Sequence, residues 1–302
     1  MAKMPFPKPA TTEPPLSGAL TVPPEALALL TADERPRPHH SPDFPAQRMT
    51  TPLTWGDLVV SADVREQLQA IRTRLGHQDE ILPDAHLRRP RQPGYRALFY
   101  GPPGTGKTLA AQLLGQATGH EVYRVDRSLV VSKYTGETEQ NLARVFDTAE
   151  RRRWILFFDE ADALVGKRTA ATASNDRPGN QEIASLRHRM EDFPGVIILA
   201  SHLEGTRDKA VARQFQAMVH FPLPGPAERL QLWQQAFART ISVSDNVDFA
   251  ALAENYSVTG GAITNVLRYC VLRLSLQQKQ TVSTDDIMEG LQRELARAGK
   301  TI

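Results

Sequence analysis

The sequence predicts an α/β fold in three layers, a parallel sheet with helices on both faces, followed by a small all-α domain. Three observations predict it. Residues 96–100, 154–158 and 196–200 are short apolar runs, and the last two are unbroken, as strands covered on both faces require. Helical stretches separate such runs; over 137–152, Leu142, Val145, Phe146 and Ala149 share one face. Past Pro222 the strand signals stop, while helical periodicity continues through 227–239, 249–256, 262–278 and 284–298.

The elements follow in order. Half of the 22 prolines fall in the first 50 residues, in pairs such as Pro14-Pro15 and Pro23-Pro24. Proline removes backbone donors and restricts φ, so 1–50 is expected to be a flexible arm, with one short helix over 24–31. A large domain is expected over 51–222, with order beginning near Thr54. Ser61 caps a helix whose apolar positions are Val64, Leu68, Ile71 and Leu75. The strand 96–100 leads into a Gly/Pro loop, a helix from Leu109 and a strand over 120–125. The helix 137–152 and strand 154–158 come next. A small, polar, aperiodic stretch over 166–179 reads as a loop before a helix at 180–193 and the strand 196–200. Residues 223–302 form the helical domain.

Composition narrows the class. A formal charge of +2 on 302 residues demands neither nucleic acid nor an anionic membrane as partner. Arg88-Arg89 and Arg151-Arg152-Arg153 read as solvated surface. The lone cysteine, Cys270, sits on an apolar helical face and is expected to be a buried thiol without redox chemistry. No run is long enough to span a bilayer, and the first residues lack a signal-peptide stretch, so a cytoplasmic protein is expected.

The chemistry concentrates in two motifs. Gly101-Pro102-Pro103-Gly104-Thr105-Gly106-Lys107-Thr108 fits G-x-x-x-x-G-K-[ST] between a strand and a helix. Its glycines let backbone N–H groups turn inward around phosphates, toward which the new helix directs its positive end. Lys107 is expected to reach the β- and γ-phosphates, and the Thr108 hydroxyl to hold Mg²⁺. Asp159-Glu160 follows the apolar strand 154–158 directly. A carboxylate there can hold the ion through water, so Asp159 is expected at the metal and Glu160 beside an attacking water. The two motifs are expected on neighbouring strands. Together they predict a P-loop nucleoside triphosphatase.

These motifs, the run Ile155-Leu156-Phe157-Phe158-Asp159-Glu160-Ala161-Asp162 and the small helical domain resemble an AAA+ ATPase over about residues 54–302. The resemblance implies ATP and Mg²⁺ as cofactors, a homo-oligomeric ring, commonly a hexamer, and ATP held between the two domains at a subunit seam. Asp57, Leu58 and Val59 resemble the segment that receives adenine. The phosphate contacts fall on residues Gly101 through Leu109, and Gly261-Ala262 resembles the turn into the lid helix. No arginine follows that turn at once, leaving Arg268 to serve if the helix phase allows. Lys133 and Tyr134 occupy the pore-loop position that grips a polypeptide substrate. His202 stands where the family has a polar sensor, usually asparagine, and Arg213 is the single arginine in the finger segment that reaches a neighbouring subunit's ATP.

The resemblance implies an ATP-driven protein remodeller that unfolds, threads or disassembles a polypeptide. It is also similar to stand-alone bacterial AAA+ proteins, some encoded with contractile injection systems. Two other classes fit the same core. A slow-hydrolysing assembly scaffold is favoured by His202 and the thinned finger; a DNA-handling ATPase is disfavoured by near-neutral charge and Tyr134. No His-Glu-x-x-His peptidase signature occurs.

Overall fold

Successive residues of a strand point to opposite faces, so a strand sandwiched between helices must be apolar at every position. A computed structural model describes residues 38–41, 43–76, 94–126, 135–165, 177–202, 212–238, 240–297 and 299, with 135–139 and 177–182 described by backbone only. The strands are β1 (Ala46–Met49), β2 (Tyr95–Tyr100), β3 (Val122–Val125), β4 (Ile155–Phe158), β5 (Val196–Ser201) and β6 (Ala217–His220). They form one sheet in the order β1-β3-β4-β5-β2-β6. All neighbours run parallel except β1, which pairs antiparallel with β3.

One face of the sheet carries Ala97, Phe99, Phe157 and Ile198. It is covered by α1 (Ala62–Gly76), through Val64, Leu68, Ile71 and Leu75, and by α2 (Lys107–Thr118), through Ala110, Leu113 and Leu114. The opposite face carries Leu98, Leu156, Phe158 and Leu199. Here α3 (Thr135–Arg152) contributes the expected stripe of Leu142, Val145, Phe146 and Ala149. Beside it lie the short α4 (Asp162–Val165) and α5 (Arg177–Asp192). Phe157 and Phe158, adjacent in sequence, therefore enter two separate cores, and each is fully buried. Such burial stabilises by about 1.5–3 kcal/mol per side chain.

The small domain has its own core of Trp233, Phe237, Val266, Cys270, Ile287 and Leu291. Its helices are α6 (Pro226–Ala238), α7 (Phe249–Asn255), α8 (Gly260–Gln277) and α9 (Thr284–Arg297). Asp248 accepts from the Ala250 and Ala251 N–H groups at the start of α7, and the Thr259 hydroxyl accepts from the Ala262 N–H at the start of α8. Cys270 is buried as expected, and desolvation pushes its thiol up to about 11.

The fold class is the expected one, with three additions. β1 lies inside the segment expected to be a flexible arm, and Pro45 immediately precedes it; as an edge strand it tolerates proline at its entry. β6 carries Met218 and His220, half-buried, so no apolar run announced it. The helical domain also contains a parallel pair of two-residue strands, β7 (Ser242–Val243) and β8 (Thr281–Val282).

Candidate functional site: a cleft between the two domains

The loop after β2 and the acidic turn after β4 do not leave adjacent strands. β5 lies between them, which corrects the expectation of neighbours. Strand spacing puts β2 and β4 about 10 Å apart. The register brings the three ends to one edge, Phe158 opposite Leu199 and Tyr100 opposite Ser201. A cavity of about 530 Å³ opens there, walled on the far side by the small domain.

Pro103, Gly104, Thr105, Gly106, Lys107, Thr108 and Leu109 line this cleft. Gly101, Gly104 and Gly106 hold φ at +137°, +75° and +104°, which lets the loop curl about its own backbone. Gly106 ends the loop without a side-chain cap, and no acidic residue stands in the first turn of α2. The first turn of a helix carries N–H groups with no intrahelical partner, so this end is built to receive an anion. Lys107 is only 5% exposed, and its Nζ donates to the Gly101 and Pro102 carbonyls at 2.7 Å each. Desolvation lowers the ammonium to about 8, against the opposing pull of Asp159 and Asp162.

Asp159, Glu160 and His202 line the same cleft. The Asp159 carboxylate accepts from the Glu160 N–H at 3.0 Å. Glu160 has a φ of +50°, a left-handed conformation that costs a non-glycine residue about 1–2 kcal/mol. Strain of this kind concentrates at functional sites, where surrounding contacts impose it.

The cleft's apolar end is built from Leu58 and Val59, both buried, with Asp57 beside them. The Asp57 carboxylate accepts from both the backbone N–H and the hydroxyl of Thr54 at 2.8 Å, fixing the turn that presents the segment. The small domain closes the cleft at Gly261, whose N–H donates to the Gly104 carbonyl at 3.0 Å. A Cβ on Gly261 would stand 2.9 Å from Gly104 Cα, so the two backbones touch where only glycine fits.

Residues 97–223 match the model of the ATPase family associated with various cellular activities, AAA, which spans this loop, the acidic turn and the end of β5. The chain carries an AAA ATPase domain. It is 29% identical to an uncharacterised AAA family ATPase of Sinorhizobium fredii, over 91% of this chain and 79% of that protein. It is 28% identical to cell division protein C of Sulfolobus acidocaldarius, over 78% of this chain and 66% of the relative. A proteasome-activating nucleotidase of Methanoregula boonei is 31% identical, over 63% of this chain and 45% of its own length. The chain thus spans about half of such proteasomal relatives. ATP binding and hydrolysis follow from the AAA domain.

Some expected residues lie off the AAA cleft. Pro102 and Ala262 line a second cavity of about 660 Å³ across the Gly104–Gly261 contact, and Arg268 lines it too. Arg268 is absent from the cleft's lining, so its position in α8 gives no support to a part at the nucleotide. Gly101 is buried beneath the loop, its carbonyl holding Lys107. Arg213 is exposed in the turn before β6 and borders a separate cavity of about 240 Å³ with Arg96 and Arg187. Lys133 and Tyr134 lie outside the described residues.

The cleft also contains residues that the motifs did not announce. Phe221, Pro222 and Pro224 line it just after β6, Glu228 and Leu232 from α6, and Thr264 from α8. The Phe-Pro-Leu-Pro run was the available signal, since paired prolines favour an extended linker between domains. Thr264 lies one turn past Gly260, which the glycine pair could have indicated.

Proposed function

We propose that this chain hydrolyses ATP with Mg²⁺ in the interdomain cleft, as one subunit of a homo-oligomeric ring that remodels a polypeptide. One observation carries the reading: a buried lysine, an anion-ready helix end and a strand-end acid pair line one cavity that residues of the helical C-terminal region also line. The donor set fits the cofactors. Lys107 and the loop backbone would hold the phosphates, with the adenine against Leu58 and Val59. Thr108 and Asp159 would hold the ion together with phosphate oxygens and water. Among the described residues no group of three or more His, Cys, Asp or Glu forms a protein-only metal cage. That suits Mg²⁺, which is commonly bound through one or two carboxylates plus phosphate oxygens and retained waters. The ion would neutralise charge on the transferring phosphoryl group.

Glu160 would orient and deprotonate the attacking water, with His202 assisting from the end of β5. Arg213 borders no part of the chain's own cleft, so its role would be toward a neighbouring subunit's nucleotide. The proteasomal relatives support a protein substrate, which Tyr134 and Lys133 would grip. Among the described residues no helix is long and apolar enough to cross a membrane.

The test has two arms. Lys107→Ala should abolish ATP binding in a fluorescent-nucleotide titration, and retained affinity would overturn the cradle. Tyr134→Ala should preserve hydrolysis while slowing processing of the protein trapped by Glu160→Gln in ATP; unchanged processing would remove the pore role.

A further inference from the structure

The tip of β5 and the turn after β4 are tied together by one carboxylate oxygen. Asp162 Oδ1 accepts from the Ser201 hydroxyl at 2.6 Å and from the His202 backbone N–H at 2.9 Å. One residue earlier, the Ala161 N–H donates to the Ala200 carbonyl at 2.7 Å. Ser201 is fully buried, which makes a broken hydroxyl bond costly there. The regular β4–β5 register ends at the Phe158–Leu199 pair. Beyond that pair, these bonds tie residues 161–162 to residues 200–202. Glu160 sits inside the tied segment with its unfavourable φ of +50°, and His202 is itself one of the donors. Both line the cleft, whereas Asp162 does not.

We propose that Asp162 is a positioning residue for hydrolysis, its Oδ1 clamping β5 to the acidic turn so that Glu160 and His202 keep a constant relative placement. This rests on the reading of the cleft as a site of ATP hydrolysis. A carboxylate serving only as the first residue of the four-residue α4 would matter to local stability and not to turnover. Misplacing reacting groups by about 1 Å can cost on the order of 100-fold in rate. An interaction needed only in the transition state lowers kcat while leaving nucleotide affinity intact.

Three variants of the full chain separate the roles. Asp162→Asn keeps an oxygen acceptor, Asp162→Ala removes it, and Ser201→Ala removes the hydroxyl that donates to it. Amide hydrogen exchange over 200–202 in the nucleotide-free chain should be slow in wild type and Asp162→Asn, and fast in Asp162→Ala. Asp162→Ala should lose about 10- to 100-fold in kcat with its ATP Kd changed less than about threefold. Asp162→Asn should recover to within about threefold of wild type, and Ser201→Ala should fall between. Fast exchange with wild-type kcat in Asp162→Ala overturns the proposal, as does an Asp162→Asn variant no better than Asp162→Ala. Where circular dichroism shows that Asp162→Ala does not fold, Ser201→Ala decides: wild-type kcat overturns, and a kcat-specific loss supports. Absence of turnover in the wild type overturns the ATPase reading and this one together, whereas unaltered exchange in Asp162→Ala removes the clamp alone.

Discussion

Raising the pH from 7 to 9 should weaken ATP binding about tenfold, and Lys107 is the reason. The side chain is 5% exposed, and desolvation brings its ammonium from 10.5 down to about 8. A group with that value is about nine-tenths protonated at pH 7 and about one-tenth at pH 9. Triphosphate favours the charged form, so binding takes up a proton across this window, and affinity follows the protonated fraction. The tenfold loss corresponds to about 1.4 kcal/mol. Calorimetric titration at pH 7, 8 and 9, in two buffers of different ionisation heat, measures both affinity and proton uptake. Affinity level across that range, with no uptake, would refute the argument. Folding shows the opposite sign. The folded value lies below the unfolded one, so the unfolded chain binds more protons. At neutral pH the buried ammonium therefore destabilises the nucleotide-free chain by about 3 kcal/mol, a penalty that fades between about pH 8 and 10.5.

Three further outcomes are expected. Gly261→Ala should weaken ATP binding by about 1–2 kcal/mol, because its Cβ would stand 2.9 Å from Gly104 Cα and force the small domain off the loop; an unchanged Kd would disprove that coupling. Asp286→Ala should destabilise the small domain by about 2–4 kcal/mol in urea melts, since it breaks bonds from the Ser283 N–H and hydroxyl and an Arg273 ion pair at 3.1 Å. Burial opposes the Asp286 charge, but the Ser283 bonds, Lys279 and Arg273 hold its carboxyl below the usual carboxylate range, so this stability is present at neutral pH and lost as pH falls through that value. Under the proposed ring, Arg213→Ala should keep ATP binding and lose about 10³-fold in turnover, with activity returning when its subunits are mixed with Glu160→Gln; no return would remove the role across a seam.

The phosphate loop was legible because its chemistry is local: glycines at 101, 104 and 106 with a lysine directly after the last specify a curled backbone within eight residues. Phe157 and Phe158 were legible for a different reason, since burial on both faces leaves no polar position in a strand. β6 was not, because Met218 and His220 are half-covered and pair with β2 through backbone groups that every residue possesses. β1 was hidden by the prolines around it. Asp162 was visible as a letter and silent as a function: an acid three residues past Asp159 does not reveal that its partners lie some forty residues away, at Ser201 and His202.

By itself the sequence determined the class of chemistry, through the loop and acid pair, and an α/β fold followed by a helical C-terminal region, through hydrophobic period. Those properties depend on neighbours along the chain. Only the tertiary structure decided that β5 intervenes between the two motifs, that Gly261 closes on Gly104, and that Arg268 lies off the cleft while Thr264 lines it. Strand order and domain contact join residues remote in sequence through backbone hydrogen bonds and shape, and neither leaves a mark on local composition.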